Sequence, residues 1–315
     1  MNNLVNFALK EEFSKIKTLS KSSNLEEIKK IIEWNKFIPL FPARETLRGR
    51  PPYEKMLMVR LLFLQGWYGI SDEELEFQVN DRLSFRNFLD FPENIPDFST
   101  IWRFREELAE EDIIDKIWAE LHRQIDEKNI QVKEGVIQDA SFIIAEPGKQ
   151  KKSDESRGRE AKTSRSKDGT WTKKGKKSYF GFKMHTKVRR GSKIIEEIAV
   201  TTAKTHDGAI DLAKPDDIIY RDRGYSGINT KAKGDGTMKK GNLDIRQKMR
   251  NKRITKKRAE GEHPFAAIER CLKGGRTKLT TTYRVFVQQV FVCFAYNLHR
   301  LKFLLRRNSE SSAQQ

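Results

Sequence analysis

The sequence predicts an α/β chain in two parts, a helical N-terminal segment followed by a mixed-sheet core. Three observations lead there. Apolar residues recur at helical spacing through residues 1–130, and from residue 131 the texture turns to short β-rich runs between polar loops. The charge balance reverses at the same place. Residues 1–130 carry 19 Lys and Arg against 24 Asp and Glu, whereas 131–315 carry 43 against 20, in a chain of formal net charge +18. An excess of that size on one half calls for a polyanionic partner, nucleic acid first among them.

In the N-terminal part, LEEIKKIIEW sets Leu25, Ile28, Ile31 and Ile32 on one helical face. Pro39, Pro42 and RGRPP at 48–52 mark a turn. KMLMVRLLFLQGW (55–67) is apolar nearly all round, which predicts a central buried helix. SDEELEFQVND (71–81) opens with a capping box from Ser71 to Glu74. PDFSTIWRFREEL (96–108) starts another helix, and Ile113, Ile114, Ile117, Trp118, Leu121 and Ile125 make one apolar face of the next. A helical domain of this kind reads either as a helix-turn-helix DNA reader or as a scaffold for dimerisation.

In the second part, GVIQDASFIIA (135–145) reads as a first strand. KKSYFGFKMHTKVRR (176–190) and KIIEEIAVTTA (193–203) form a hairpin about a GSK turn, and DDIIYRDRGY (216–225) is a strand ending in a charged turn. Helix returns from about 255 to 273 and again at 283–305, leaving a polar tail at 306–315. The expected domains are therefore 1–130, 131–305 and the tail. Residues 149–177 hold 12 Lys and Arg against four acids around Trp171, and 227–242 is Gly- and Lys-rich. Both read as solvated loops or as clamps on phosphate backbone.

Several function classes drop out. The two cysteines, Cys271 and Cys293, have neither CxxC nor zinc spacing. The N-terminus lacks a signal peptide's apolar region, and the apolar run at 283–305 is broken by Arg284, Gln288, Gln289, Asn297, His299 and Arg300. A core helix and a cytoplasmic, nucleoid-associated protein without membrane contact are expected. No phosphate-cradling P-loop occurs, so no ATP is implied, and no nucleophilic triad can be assembled.

The chemistry concentrates on carboxylates. Asp139 interrupts an otherwise apolar strand, Asp222 ends another, and Glu262 lies on a helix. Singly, each has an ordinary reading as turn former, cap or surface residue. Together, two strand acids and one helix acid suit a pair of hard divalent cations, which take oxygen ligands and activate attacking and leaving oxygens.

At this point the sequence resembles insertion-sequence transposases of the IS-Five (IS-Four-like) group along nearly its whole length. RGRPPYEKMLMVRLLFLQGWYGISDEELEF and IPDFSTIWRFREEL resemble that group's helical domain, GVIQDASF its first-acid block and IIYRDRGYSG its second. TWTKKGKKSYFGFKMH and VTTAKTHD, with Lys183, His185, His206 and Asp207, resemble the stretch between them. RAEGEHPFAAIERCLK resembles the third block, with Arg258 and, three residues intervening, Glu262, and YNLHRL (296–301) the last helix. The resemblance implies an RNase H-like catalytic core in which Asp139, Asp222 and Glu262 are the catalytic metal ligands. It implies two Mg2+ ions, with Mn2+ able to substitute. Terminal inverted repeats and target DNA would be the partners, bound by a homodimer. Lys173, Lys174, Lys176, Lys177, Lys183, Arg258 and Arg270 are the expected DNA contacts. The implied activity is cleavage at element ends with strand transfer; an RNase H-like nuclease without strand transfer, or an impaired transposase-derived DNA-binding protein, is the alternative. The third block departs from the group's Tyr, Arg, Glu, Lys signature, with Thr255 at the Tyr position and Glu269 at the Lys position beside Arg270. Lys273 is a further stand-in for that cation. The stretch from Asp207 to Asp222 is also short for the group. His122 reads as structural, His185 and His206 as positioning residues, and His263 as a neighbour of the site.

Overall fold

The computed structural model describes residues 23–42, 51–110, 112–130, 134–148 and 168–313. It divides into two compact units, residues 1–129 with 290–315, and residues 130–289. The second unit opens where the sequence changes texture. The C-terminal helix, expected to close the 131–305 domain, belongs from Val290 onward to the helical unit. Its apolar side chains decide that, as follows.

The helical unit comprises α1 (Ser23–Ile31), a 3-10 turn (Trp34–Leu40), α2 (Lys55–Tyr68), α3 (Asp72–Asp81), α4 (Leu83–Phe88), α5 (Phe98–Glu110), α6 (Ile113–Asp126) and the greater part of α9 (Thr282–Ala313). Trp34 anchors its core, stacked on Phe294 at 5.9 Å and edge-on to Phe63 and Phe88 at 5.3 and 5.4 Å. Aromatic pairs in these arrangements add to the area they bury. α2 is buried on almost every side, as its sequence predicts. Gly66 lets α9 approach it, since a Cβ there would stand 2.7 Å from the Phe291 carbonyl oxygen. Ser71 Oγ accepts the Glu74 N–H at 3.2 Å to start α3, and Asp97 accepts the Thr100 N–H at 2.7 Å to start α5. The six apolar residues named on α6 are all buried.

The second unit is built on a seven-stranded mixed sheet: β1 (Val136–Ala145), β2 (Thr170–Lys174), β3 (Lys177–Arg189), β4 (Ile195–Thr202), β5 (Ile218–Arg221), β6 (Gly234–Thr237) and β7 (Arg276–Thr277). Its order is β2-β3-β1-β5-β6, with β4 also on β3 and β7 on β1. β1 is antiparallel to β3 and parallel to β5, which is parallel in turn to β6. This mixed α/β unit, following a helical region, is an RNase H-like core. Its helices are α7 (Ile245–Arg258) and α8 (Glu262–Arg270), joined by a 3-10 turn at Ala259–Gly261, and α9 begins here.

Three local expectations are corrected. TWTKK is the strand β2 rather than loop, tied to β3 through a tight turn at Gly175 and Lys176, with Gly175 at φ +60°. The Gly- and Lys-rich stretch contains β6. The helix expected from 255 begins ten residues earlier, capped by Asp244 and Gln247 in a reciprocal box, and breaks at 259–261. Residues 149–167 of the basic loop lie outside the described residues. Among the described residues, no helix is long and apolar enough to cross a membrane.

Candidate active site

Parallel pairing of β1 with β5 sets Val136 beside Ile219 and Ile137 beside Tyr220, and the same register carried two residues on brings Asp139 beside Asp222. The residues just before the two acids tie the strands together. Arg221 Nε donates to Gln138 Oε1 at 2.9 Å, Gln138 Nε2 donates to the Ile210 carbonyl at 2.7 Å, and Arg221 also pairs with Asp211. Gln138 and Arg221 are fully buried, so these bonds form away from competing water. The short segment between the acids is thereby held to both strands.

Each aspartate has one oxygen fixed by backbone. Ala140 N–H donates to Asp139 Oδ1 at 2.9 Å, and Gly224 N–H to Asp222 Oδ1 at 2.8 Å, where Asp222 caps the turn Arg223–Tyr225. Asp139 Oδ2 receives Arg258 Nη2 at 2.7 Å. Among the described residues Asp222 Oδ2 accepts no hydrogen bond. Burial pushes the Asp139 carboxyl above its ordinary range and repulsion from Asp222 adds to this, although Arg258 and the Ala140 N–H pull it down.

A third aspartate lies close by. Lys183 Nζ bonds Asp207 Oδ1 at 2.8 Å and the Thr205 carbonyl at 2.7 Å. A Cβ on Gly224 would sit 3.0 Å from Asp222 Oδ1 and 3.4 Å from Asp207 Oδ2, so the two carboxylates flank one turn. The Tyr225 phenol, fully buried, has no hydrogen-bond partner among the described residues. Burial first, and then Asp207, Asp139 and Asp222, raise its pKa far beyond the ordinary phenol range. It stays neutral, a proton donor facing a field made by three acids. Tyr225 and Asp207 were not singled out as ligands or donors by sequence; the phenol's place three residues after the second acid was the available signal.

Glu262 is exposed at the start of α8. Its element is seated on β1, because a Cβ on Gly261 would stand 2.7 Å from Ile137 Cγ2, two residues from Asp139. Only glycine permits that approach. Among the described residues no group of three or more His, Cys, Asp or Glu is set to hold a metal ion. The structure brings Asp139 and Asp222 together, and Glu262 follows directly on the glycine that packs against Ile137 of β1. Glu260 is turned elsewhere, its carboxylate receiving the Gly191 N–H at 2.6 Å. As donors, two adjacent hard carboxylates, of which Asp139 is raised in pKa by burial, fit a divalent cation that keeps much of its own water.

Of the expected DNA contacts, Lys173, Lys174, Lys176 and Lys177 are exposed on the β2–β3 hairpin, and Arg270 is exposed at the end of α8. Lys183 and Arg258 are engaged internally, on Asp207 and Asp139. His185 is fully buried against Thr201 Oγ1 at 2.9 Å, and burial pulls its pKa down to about 4, so it is neutral. His206 accepts the Gly208 N–H at 3.1 Å and shapes the Asp207 turn. His122 packs edge-on to Trp118 in the helical unit. His263 and Glu269 are exposed on α8.

Comparison with known families gives two matches. A model described as Transposase DDE domain matches residues 122–298, and one described as Transposase domain (DUF772) matches residues 13–107. No solved structure matches the chain.

Proposed function

From the premise that the chain belongs to the DDE transposase family and is a transposase, we propose that it cleaves DNA at the ends of an insertion element and joins the freed ends to target DNA. The observation that carries this reading is the pair of Asp139 on β1 and Asp222 directly after β5, set side by side by the parallel register of the two strands. Asp139, Asp222 and Glu262 would hold the Mg2+ or Mn2+ ions. Those ions, when bound, activate the attacking oxygen and stabilise the leaving one.

The chain's own groups do the rest. Backbone N–H groups of Ala140 and Gly224 orient the two aspartates, and Arg258 favours the ionised form of Asp139 against burial and the repulsion of Asp222. The hairpin lysines neutralise phosphates. In the first step water attacks the phosphorus at the element end, the bond from phosphorus to O3′ breaks, and the leaving oxygen takes a proton. The products are a 3′-hydroxyl and a 5′-phosphate. In the second step that 3′-hydroxyl attacks a target phosphate in line, releasing another 3′-hydroxyl, so the number of phosphodiester bonds is conserved.

Asp139→Asn, Asp222→Asn and Glu262→Gln each keep side-chain size and remove an anionic ligand. Nicking of an element-end duplex in Mg2+ is expected to fall by more than the roughly 10–100-fold that loss of an outer-shell partner costs. Duplex affinity, set by Lys and Arg, is expected to hold. Glu260→Gln is expected to nick normally, and Glu269→Lys to retain or raise activity. Normal nicking by Glu262→Gln alongside loss in Glu269→Gln would move the third ligand to Glu269. Affinity itself is expected to drop on the order of 10³-fold or more between 50 and 200 mM salt. Reversing the four hairpin lysines is expected to flatten that dependence, and an unchanged dependence would make the hairpin a bystander.

A further inference from the structure

Resting on the reading of DNA as substrate, we infer that the outer face of α7 is a second docking surface for the sugar–phosphate backbone of duplex DNA, separate from the β2–β3 hairpin. Eight of the 14 residues of α7 are Lys or Arg and none is acidic. Its inner face is committed to the fold. Ile254 packs on Ile137 and Tyr220, and Asn251 bonds the backbone of Lys239 in both directions at 3.0 Å. Arg250 donates to the carbonyls of Thr237 and Asp235, and Lys257 to the Tyr220 hydroxyl at 2.9 Å. The helix therefore cannot rotate, and what it shows to solvent is fixed.

What it shows is Arg246, Lys248, Lys252, Arg253 and Lys256, all exposed, and none with an ion pair or side-chain hydrogen bond among the described residues. Lys248, Lys252 and Lys256 form a single row at four-residue spacing, about 12 Å from end to end. Like charges at that spacing repel and weaken a helix. Duplex DNA offers one phosphate per roughly 3.4 Å of axis on each strand, so a row of that length can face several. Ile245 and Met249, 77% and 53% exposed, flank the row and suit the apolar edge of deoxyribose. An anionic membrane is the poorer fit, because insertion needs an apolar stripe along the helix and the remaining apolar residue of α7, Ile254, is buried.

The test compares the salt dependence of binding to a random-sequence duplex for the full-length chain and for Lys248→Gln/Lys252→Gln/Lys256→Gln. Gln and Lys have near-equal helix propensity, so α7 should persist. The slope of log affinity against log salt is expected to fall by about 0.9 per phosphate contact, hence by roughly 2–3 in the triple variant. Replacing the same three with Arg is expected to restore it, and each single Gln variant to remove about 0.9. Wild-type binding with an unchanged slope in the Gln variants overturns this inference and leaves the DNA reading intact. Failure of the wild-type chain to bind duplex at low salt overturns both. Binding of anionic phospholipid vesicles that Lys248→Gln/Lys252→Gln/Lys256→Gln abolishes, with duplex binding unmoved, also overturns it.

Discussion

The two units handle charge in opposite ways. In the helical unit several cations face acids of the same unit: Lys29 and Arg60 meet at Asp90, and Arg105 lies on Asp72. Arg123 bridges Glu120 and Glu127, and Lys302 and Arg306 share Glu27. In the sheet unit there are two populations. Interior cations are paired, as Lys183 with Asp207, Lys187 with Asp217 at 3.1 Å, Arg221 with Asp211 and Arg258 with Asp139. The outward cations of the hairpin and α7 have no ion pair among the described residues. Charge balanced within a unit serves its own folding, and charge left unbalanced over a whole face is set for a partner that brings the opposite sign.

If the helical unit stands on its aromatic core, the largest stability effect belongs there. Trp34→Ala is expected to cost about 3–5 kcal/mol, read from urea denaturation, because Trp34 contacts Phe37, Phe63, Phe88 and Phe294 at once. A cost below about 1 kcal/mol would show that the cluster carries little. The sheet unit is expected to contribute a pH dependence instead. His185 is held neutral with a folded pKa of about 4, below its unfolded value of about 6.5. The unfolded chain therefore binds the extra proton between these values. Stability is full above pH 6.5 and is lost as pH falls towards 4. Between pH 7.5 and 5.0 the loss should reach about 2 kcal/mol more in the wild type than in His185→Gln; equal losses would mean that the imidazole is protonated in place. The smallest effect is expected from the paired surface of the helical unit. Arg123→Ala removes contacts from a half-exposed guanidinium to the exposed Glu127 and the largely buried Glu120 and should change stability by no more than about 0.5–1 kcal/mol. A larger cost would show that these pairs are structural and narrow the contrast between the units.

Much of the helical unit is legible from sequence because its signals are local. The face of α6 repeats at helical spacing, and Ser71 caps α3 three residues from its partner. α7 escapes that reading because its sequence has no apolar stripe: Ile245 and Met249 face solvent, and only Ile254 and Asn251 are buried. Its start is written only in the capping box of Asp244 and Gln247. β2 and β6, five and four residues long, lack alternation and are strands because β3 and β5 offer them open ladder edges. For the site, sequence alone marked Asp139, Asp222 and Glu262 as candidates and put the excess of positive charge on the same half of the chain. Tertiary structure decided that Asp139 and Asp222 are neighbours, that Arg258 reaches Asp139 across 119 residues, and that Lys183 turns inward to Asp207. The reason is range: helical periodicity and caps act within a few residues, whereas strand register and the destination of a buried charge depend on segments that meet only when the chain has folded.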